Sequence, residues 1–147
     1  MAISQQVDTD LKAAMKVRDQ AKTSCLRLIR SALNNKAKDL KRELNPEEEI
    51  QILSTLAKQR RESIEQFSKG GREDLADKEK AELAWIGDYL PEQMDEAGIN
   101  SVLDEVFAQV EPQGMKDMGQ VMKAAMGRLQ GQADGKLVNQ LVRQRLQ

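Results

Sequence analysis

The sequence predicts an all-α protein, and three observations support that fold class. Apolar residues recur at spacings of three and four along most of the chain, as they do on one side of a helix. Residues that cap or stop helices separate these stretches. No segment sustains the alternation of apolar and polar residues that a half-buried strand requires. We therefore expect an N-terminal block of about four helices, with long middle helices, followed by a small C-terminal three-helix domain.

The first two helices are each predicted to begin at a polar capping residue. The side-chain oxygens of Ser4 and Asp19 can accept hydrogen bonds from the free N–H groups of a first helical turn. After Asp19, apolar residues recur at helical spacing from Leu26 to Leu44. A stripe of this length predicts a long second helix with one buried side.

The third helix has the clearest start signal in the chain. Asn45 can cap it, and Pro46 suits the first helical position. Three glutamates follow, and their charge favours the positive end of the helix dipole. Gly70 and Gly71 are expected to end this helix, because glycine adopts left-handed backbone angles without a steric penalty. A fourth helix follows, and Pro91 prevents it from continuing.

The segment from Pro91 to Asp95 is the best candidate for a domain boundary, because the helical pattern is interrupted there. We predict an N-terminal helical domain over residues 1–91. We predict a C-terminal domain, with the remaining three helices, over residues 92–147.

The C-terminal helices are separated by two further breaks. The fifth helix is expected to end at the segment Glu111-Pro112-Gln113-Gly114, and the sixth at Gly131. Asp117 can cap the sixth helix and Asp134 the seventh.

Several kinds of chemistry are disfavoured by what the chain lacks. It contains no histidine, which is the commonest general base and the commonest metal ligand. Its one cysteine, Cys25, therefore has no histidine to activate it, and we interpret it as a small buried residue. We predict no catalytic residue, no metal site and no cofactor, and we do not expect this chain to be an enzyme by itself.

The sequence also predicts a cytoplasmic location. One cysteine cannot form an intramolecular disulfide, which suits a reduced compartment. The opening residues MAISQQVD lack the basic and apolar regions of a secretory signal. No apolar run is long enough to cross a bilayer, so we expect no association with a membrane.

Charge is distributed unevenly along the chain, although the net charge is only −1. Residues 1–44 contain ten Lys and Arg against five Asp and Glu, a net charge of +5. Residues 45–98 have a net charge of −7, with seven basic and fourteen acidic residues. From Pro112 onward six basic residues face two acidic ones, a net charge of +4. The C-terminal end is therefore a candidate surface for a polyanion.

The last predicted helix carries a polar stripe that recurs over two turns. Lys136, Asn139 or Gln140, and Arg143 share one side of it, which leaves the other side free to pack. Cationic and amide side chains on one face can bind phosphates and sugar hydroxyls. The candidate RNA-binding residues are all the basic residues of this region and one amide: Lys116, Lys123, Arg128, Lys136, Asn139, Arg143 and Arg145.

Four methionines near the C-terminus allow two interpretations. Met115, Met118, Met122 and Met126 recur at helical spacing. They can form an adaptable groove for a protein partner, or they can belong to the apolar core of the domain. We favour the core, because Val121, Ala125 and Leu129 share much of that side of the helix.

Five short segments resemble known proteins. Those beginning at Lys58 (KQRRESI), Gly71 (GREDL) and Tyr89 (YLPEQ) resemble the YqeY family. Those beginning at Gly119 (GQVMK) and Gly131 (GQAD) are similar to the tail of the B subunit of the glutamine-dependent tRNA amidotransferase. The family resemblance extends over nearly the whole chain.

The resemblance implies a helical, two-part module directed to tRNA. In the amidotransferase, the tail helps to hold tRNA while a separate catalytic domain, which has no counterpart in these 147 residues, performs the reaction. tRNA is therefore the expected partner. One alternative is a protein-interaction module that docks through its Met-rich C-terminal domain. A residual alternative is a carbon–nitrogen ligase or amidase activity on aminoacyl-tRNA, with glutamine as the nitrogen donor in the ligase case.

Overall fold

The computed structural model describes residues 2–147, and all regular structure within them is helical. The predicted all-α fold class is confirmed. The seven α-helices, in chain order, are α1 Ile3–Lys16, α2 Gln20–Leu40, α3 Pro46–Lys69, α4 Glu73–Gly87, α5 Glu96–Val110, α6 Met118–Leu129 and α7 Gly135–Leu146. A 3₁₀ turn, Met115–Asp117, precedes α6. The long middle helices are α2 and α3, with 21 and 24 residues.

The chain divides into two compact units, the first ending at Leu90 and the second spanning Pro91–Gln147. In the first unit α3 packs mainly against α4 and α1 against α2, and α2 also contacts α3 and α4. Its core is built from one side of each of these helices and consists of Val7, Leu11, Ala14, Cys25, Leu26, Ile29, Leu33, Leu53, Ala57 and Ile86.

Two of the predicted helix starts in the first unit are confirmed in detail. The Asp19 carboxylate accepts a hydrogen bond of 3.1 Å from the Lys22 N–H and so caps α2. At the start of α3, the Asn45 side chain accepts from the Glu48 N–H at 2.9 Å. The Glu48 carboxylate in turn accepts from the Asn45 N–H at 3.0 Å, which completes a capping box.

The predicted Ser4 cap is wrong. α1 begins at Ile3, with Ala2 at the N-cap position, so Ser4 lies inside the first turn. The Ser4 N–H donates instead to Glu49 Oε2, at 2.9 Å. Glu49 is 2% exposed and belongs to α3. A carboxylate from another helix thus satisfies one free N–H group in the first turn of α1, which a local sequence signal cannot reveal.

The second unit has its own core, formed where α6 packs between α5 and α7. The buried residues are apolar side chains from all three helices: Ile99, Leu103, Val106, Val121, Ala125, Leu129, Val138, Leu141 and Val142. The segment before α5 is attached to this unit by a 2.7 Å hydrogen bond from the Met94 N–H to the Gln132 carbonyl.

One helix cap in the second unit was predicted correctly and one was not. Asp134 caps α7 by accepting a hydrogen bond of 3.1 Å from the Lys136 N–H. Asp117 makes no capping bond to α6. Its carboxylate accepts from the Gln113 N–H at 2.8 Å and so holds the loop before the 3₁₀ turn. Asp117 therefore occupies the N-cap position of α6, but its side chain holds the preceding loop instead of capping the helix.

Candidate nucleic-acid interface

α7 has one buried and one outward side, as its sequence predicts. Val138, Leu141 and Val142 are buried in the core of the second unit. Lys136, Gln140 and Arg143 are exposed, and Asn139, at the edge of this set, is half-buried. The spacings of four and three residues keep Lys136, Gln140 and Arg143 on one side of the helix, which we call the α7 outward face.

Arg145 does not belong to the α7 outward face. Its guanidinium contacts Asp104 at 2.8 Å and donates to the Asn100 carbonyl at 3.1 Å. It also lies over the Phe107 ring, 5.4 Å from the ring centroid. All three partners are on α5. Arg145 therefore joins α7 to α5, and its charge is already compensated within the unit.

Arg128 is engaged in the same way from α6. Its guanidinium pairs with the carboxylate of Glu105, again on α5. The adjacent acids Asp104 and Glu105 thus bind two of the seven candidate residues. Two neighbouring carboxylates on the fifth helix are the sequence signal that could have revealed this pairing. The seven candidates consequently do not form one surface.

The remaining cations are exposed. Lys116 lies on the 3₁₀ turn, Lys123 on α6, and Arg143 on the α7 outward face. Within residues 2–147, the side chains of these three residues form no ion pair. Their charge is available to a ligand.

The outward side of α6 shows a feature that the sequence analysis missed. Gly119, Lys123 and Gly127 recur every four residues and are all exposed, opposite the buried Val121 and Ala125. A Cβ atom added at Gly119 or Gly127 would meet nothing within 4 Å. The packing of this unit therefore does not require glycine at either position. The recurrence of these residues every four positions in the sequence could have revealed that they share one side of the helix.

Most of the methionines belong to the core of the second unit. Met118, Met122 and Met126 are partly buried and pack against its apolar cluster. Met115, on the 3₁₀ turn, is 43% exposed. Of the four methionines that could have formed a groove for a partner, only Met115 is exposed.

Cys25 lies in the first unit, in surroundings that keep its thiol protonated. It is 1% exposed, and its Sγ lies 3.9 Å from the Glu82 carbonyl. Burial, followed by the nearby Glu82 carboxylate, raises its pKa from 9.0 to about 11. Among residues 2–147, no three His, Cys, Asp or Glu side chains gather where a metal ion could be held.

Comparison with known families agrees with this helical architecture. The profile of the family described as "Yqey-like protein" matches residues 4–146. The chain belongs to the YqeY family. Across residues 2–147 of this YqeY protein, no helix is both long enough and apolar enough to span a membrane.

The curated relatives of this YqeY protein include three fungal proteins, each named "Altered inheritance of mitochondria protein 41, mitochondrial". The relative from Eremothecium gossypii is 39% identical over 82 residues, which is 55% of this chain and 45% of the relative. The relative from Saccharomyces cerevisiae is 35% identical over 96 residues, or 65% of this chain and 50% of the relative. The relative from Vanderwaltozyma polyspora is 42% identical over 82 residues, which is 55% of this chain and 44% of the relative.

The match spans about half of the length of these curated relatives. Their names refer to mitochondria, and they state neither a ligand nor a reaction. The cytoplasmic location expected for this YqeY protein stays a prediction.

Proposed function

We propose that the C-terminal unit binds tRNA as an accessory module that lacks the catalytic domain of the amidotransferase. One observation carries this proposal: the charges of the unit are segregated by helix. α6 and α7 contain Lys123, Arg128, Lys136, Arg143 and Arg145, and neither helix contains Asp or Glu. The acids of α5 neutralise only the two arginines that pack against it. Lys116, Lys123 and Arg143, which form no ion pair within residues 2–147, therefore give the exposed surface of the unit a positive charge.

The α7 outward face is suited to a phosphodiester backbone. Lys136 and Arg143 are two turns apart, about 10 Å along the helix axis. Their charged groups favour phosphates, and the amides of Gln140 and Asn139 can reach sugar hydroxyls between them. Aromatic residues make up only 3% of the chain, so stacking on bases contributes little. This surface would therefore recognise the sugar–phosphate backbone and the shape of tRNA, not its base sequence.

The resemblance to the amidotransferase tail supports the same surface. Its two similar segments fall in the second unit, one in α6 from Gly119 to Lys123 and one just before α7 from Gly131 to Asp134. The first segment includes the exposed Lys123, and the second includes the cap of α7. The proposal includes no chemical step, because burial keeps the Cys25 thiol protonated and no histidine is present to activate it.

Salt dependence of binding to total tRNA tests this proposal. If Lys116, Lys123, Lys136 and Arg143 each contact a phosphate, log Kd should change with log salt with a slope of magnitude about 3. Lys136→Glu combined with Arg143→Glu should weaken binding roughly tenfold or more at low salt and lower the slope by about 1.5. Filter binding at several salt concentrations measures both quantities.

A matched control separates local contact from overall charge. Lys78→Glu combined with Lys80→Glu makes the same change in net charge on exposed positions of α4 in the other unit. This variant should bind tRNA within about twofold of wild type. Arg145→Ala should likewise affect binding less than Arg143→Ala, because the Arg145 charge is already paired. Equal losses in the α7 and α4 variants would contradict the proposal.

A protein partner is the second candidate function, and the exposed Met115 favours it. Met side chains adapt to varied apolar surfaces. This alternative is supported if wild-type protein fails to bind tRNA at low salt while Met115→Glu abolishes a salt-insensitive protein interaction.

A further inference from the structure

The outward side of α2 forms a second continuous polar surface, in the first unit. Its members recur every three or four residues and are all exposed: Gln20, Ser24, Arg27, Ser31, Asn34 and Lys38. The opposite side of the helix carries Leu26, Ile29 and Leu33, which are buried in the core of this unit. From Gln20 to Lys38 the surface extends about 27 Å along the helix axis. We call it the α2 outward face.

The cations of this surface are not used inside the protein. α2 contains five Lys and Arg and a single acid, Asp39. Arg30, at the margin, lies 3.8 Å from Asp8 of α1. In contrast, Arg27 and Lys38 form no ion pair within residues 2–147. The α2 outward face itself contains no carboxylate, so the charged side chains on it, Arg27 and Lys38, are both cationic.

The side chains between these cations favour a nucleic-acid backbone over a protein partner. Ser24, Ser31 and Asn34 provide hydroxyl and amide groups that can bond to phosphate oxygens and ribose hydroxyls. Stable protein interfaces are usually anchored by buried aromatic or apolar side chains. The α2 outward face has one such side chain at its edge, Leu28, which is 53% exposed. One marginal leucine does not provide an apolar centre.

We propose that the α2 outward face is a second RNA-contacting surface, at which Arg27 and Lys38 bind phosphates of the sugar–phosphate backbone. It shares only its ligand class with the proposed function, since it lies on a different unit and uses different residues. The net charge of +5 in residues 1–44, which the α7 outward face leaves unexplained, belongs in part to this surface.

Charge reversal on each surface, in the full chain and with total tRNA as the probe, tests the inference. If the two α2 contacts add to the four assigned to the C-terminal unit, the wild-type slope has a magnitude of about 4.5. Arg27→Glu combined with Lys38→Glu should weaken binding roughly tenfold at low salt and lower that magnitude by about 1.5. The α4 variant, Lys78→Glu with Lys80→Glu, carries the same charge change and should bind within about twofold of wild type. If charge reversal on α2 unfolds the protein by circular dichroism, Arg27→Gln with Lys38→Gln replaces it, with the same expected change in slope.

The outcomes separate the two surfaces. We call Lys136→Glu with Arg143→Glu the α7 variant, and Arg27→Glu with Lys38→Glu the α2 variant. If the α7 variant loses binding while the α2 variant binds as well as the α4 control, the α2 inference is overturned and the proposed function stands. Loss in the α2 variant with an unaffected α7 variant supports the inference and overturns the proposed function. Losses in both variants support both surfaces. Absence of tRNA binding by wild-type protein at low salt overturns both, and leaves protein partners as the ligands to seek.

Discussion

Arginine has two distinct roles at the C-terminal end of α7. Arg143 and Arg145 are two positions apart, which places them about 200° apart around the helix. Arg145 therefore reaches α5, where its planar guanidinium contacts a carboxylate, a carbonyl and an aromatic ring. Arg143 points away from the core and is exposed. The same type of side chain thus joins two helices at one position and is exposed to solvent at the other.

The Cys25 thiol should make stability depend on alkaline pH. Its pKa is raised from 9.0 to about 11 in the folded protein, so the unfolded chain loses this proton first as pH rises. The contribution is present below pH 9 and is lost between pH 9 and about 11, by up to about 2 kcal/mol. Cys25→Ala should remove this part of the pH dependence, as measured by urea unfolding, and should leave tRNA binding unchanged.

The Tyr89 hydroxyl donates to the Asp10 carboxylate, and burial with this bond raises its pKa too. The Cys25→Ala variant therefore keeps the alkaline sensitivity that comes from Tyr89, so the difference in stability between wild type and variant is the relevant quantity. Identical pH profiles would show that the thiol titrates normally. A loss of tRNA binding in a folded Cys25→Ala variant would contradict the structural role of Cys25.

At the level of helices, several elements are stabilised by groups outside themselves. The buried Glu49 carboxylate of α3 accepts a hydrogen bond from the Ser4 N–H in the first turn of α1. α7 is attached to α5 through Arg145. α6 has no side-chain cap at its start and carries two exposed glycines, so its own sequence supports helix formation weakly. Its position between α5 and α7 compensates for this.

Replacement of the α6 glycines by alanine should stabilise the protein. Gly119→Ala with Gly127→Ala lowers the backbone entropy of the unfolded chain and meets no atom within 4 Å in the folded one. We expect a gain of about 1–2 kcal/mol for the pair in urea unfolding. Should RNA approach this side of α6, the added methyl groups would weaken tRNA binding despite the higher stability. A destabilised variant would show that the surroundings of Gly119 or Gly127 cannot accept a methyl group.

For the whole molecule, net charge is a poor guide to ligands. The chain has a net charge of −1 and a pI near 5.7, yet it contains basic surfaces on α2 and α7. At physiological salt, fields decay over about 8 Å, so acidic and basic surfaces act separately when they are further apart. The acids concentrated between residues 45 and 98 therefore need not prevent a polyanion from binding elsewhere.

The division into two units predicts where proteolysis begins. A protease specific for glutamate has two exposed, non-helical sites, Glu92 between α4 and α5 and Glu43 between α2 and α3. Glu111 is exposed as well, but Pro112 follows it and makes that bond resistant. Cleavage should begin at Glu92 and Glu43, because helical sites must unfold locally before they fit a protease. Mass spectrometry of a short digest identifies the first products. Initial cleavage among the glutamates of α3 would contradict the division.

The sequence by itself determined the helical class and most helix boundaries. Caps such as Asp19, Asn45 and Asp134 act on N–H groups two or three residues away, so the information lies within the same short segment. The buried side of α7 followed from spacing alone, for the same reason. The prediction of a capping bond failed where a side chain could accept from more than one nearby N–H group, as Asp117 does from Gln113.

Only the tertiary structure decided which charges remain for a ligand. The sequence does not distinguish Arg128 and Arg145 from the exposed cations Lys123 and Arg143. In the folded unit, Arg128 pairs with Glu105 and Arg145 with Asp104, so the charges of these two arginines are not available to a ligand. Glu49 likewise resembles the other glutamates at the start of α3 in the sequence, and only the packing of α1 gives it the bond to the Ser4 N–H. These pairings join residues 23 to 45 positions apart, and no short-range period encodes them. Long-range packing therefore separates the cations that hold this fold together from those that face outward.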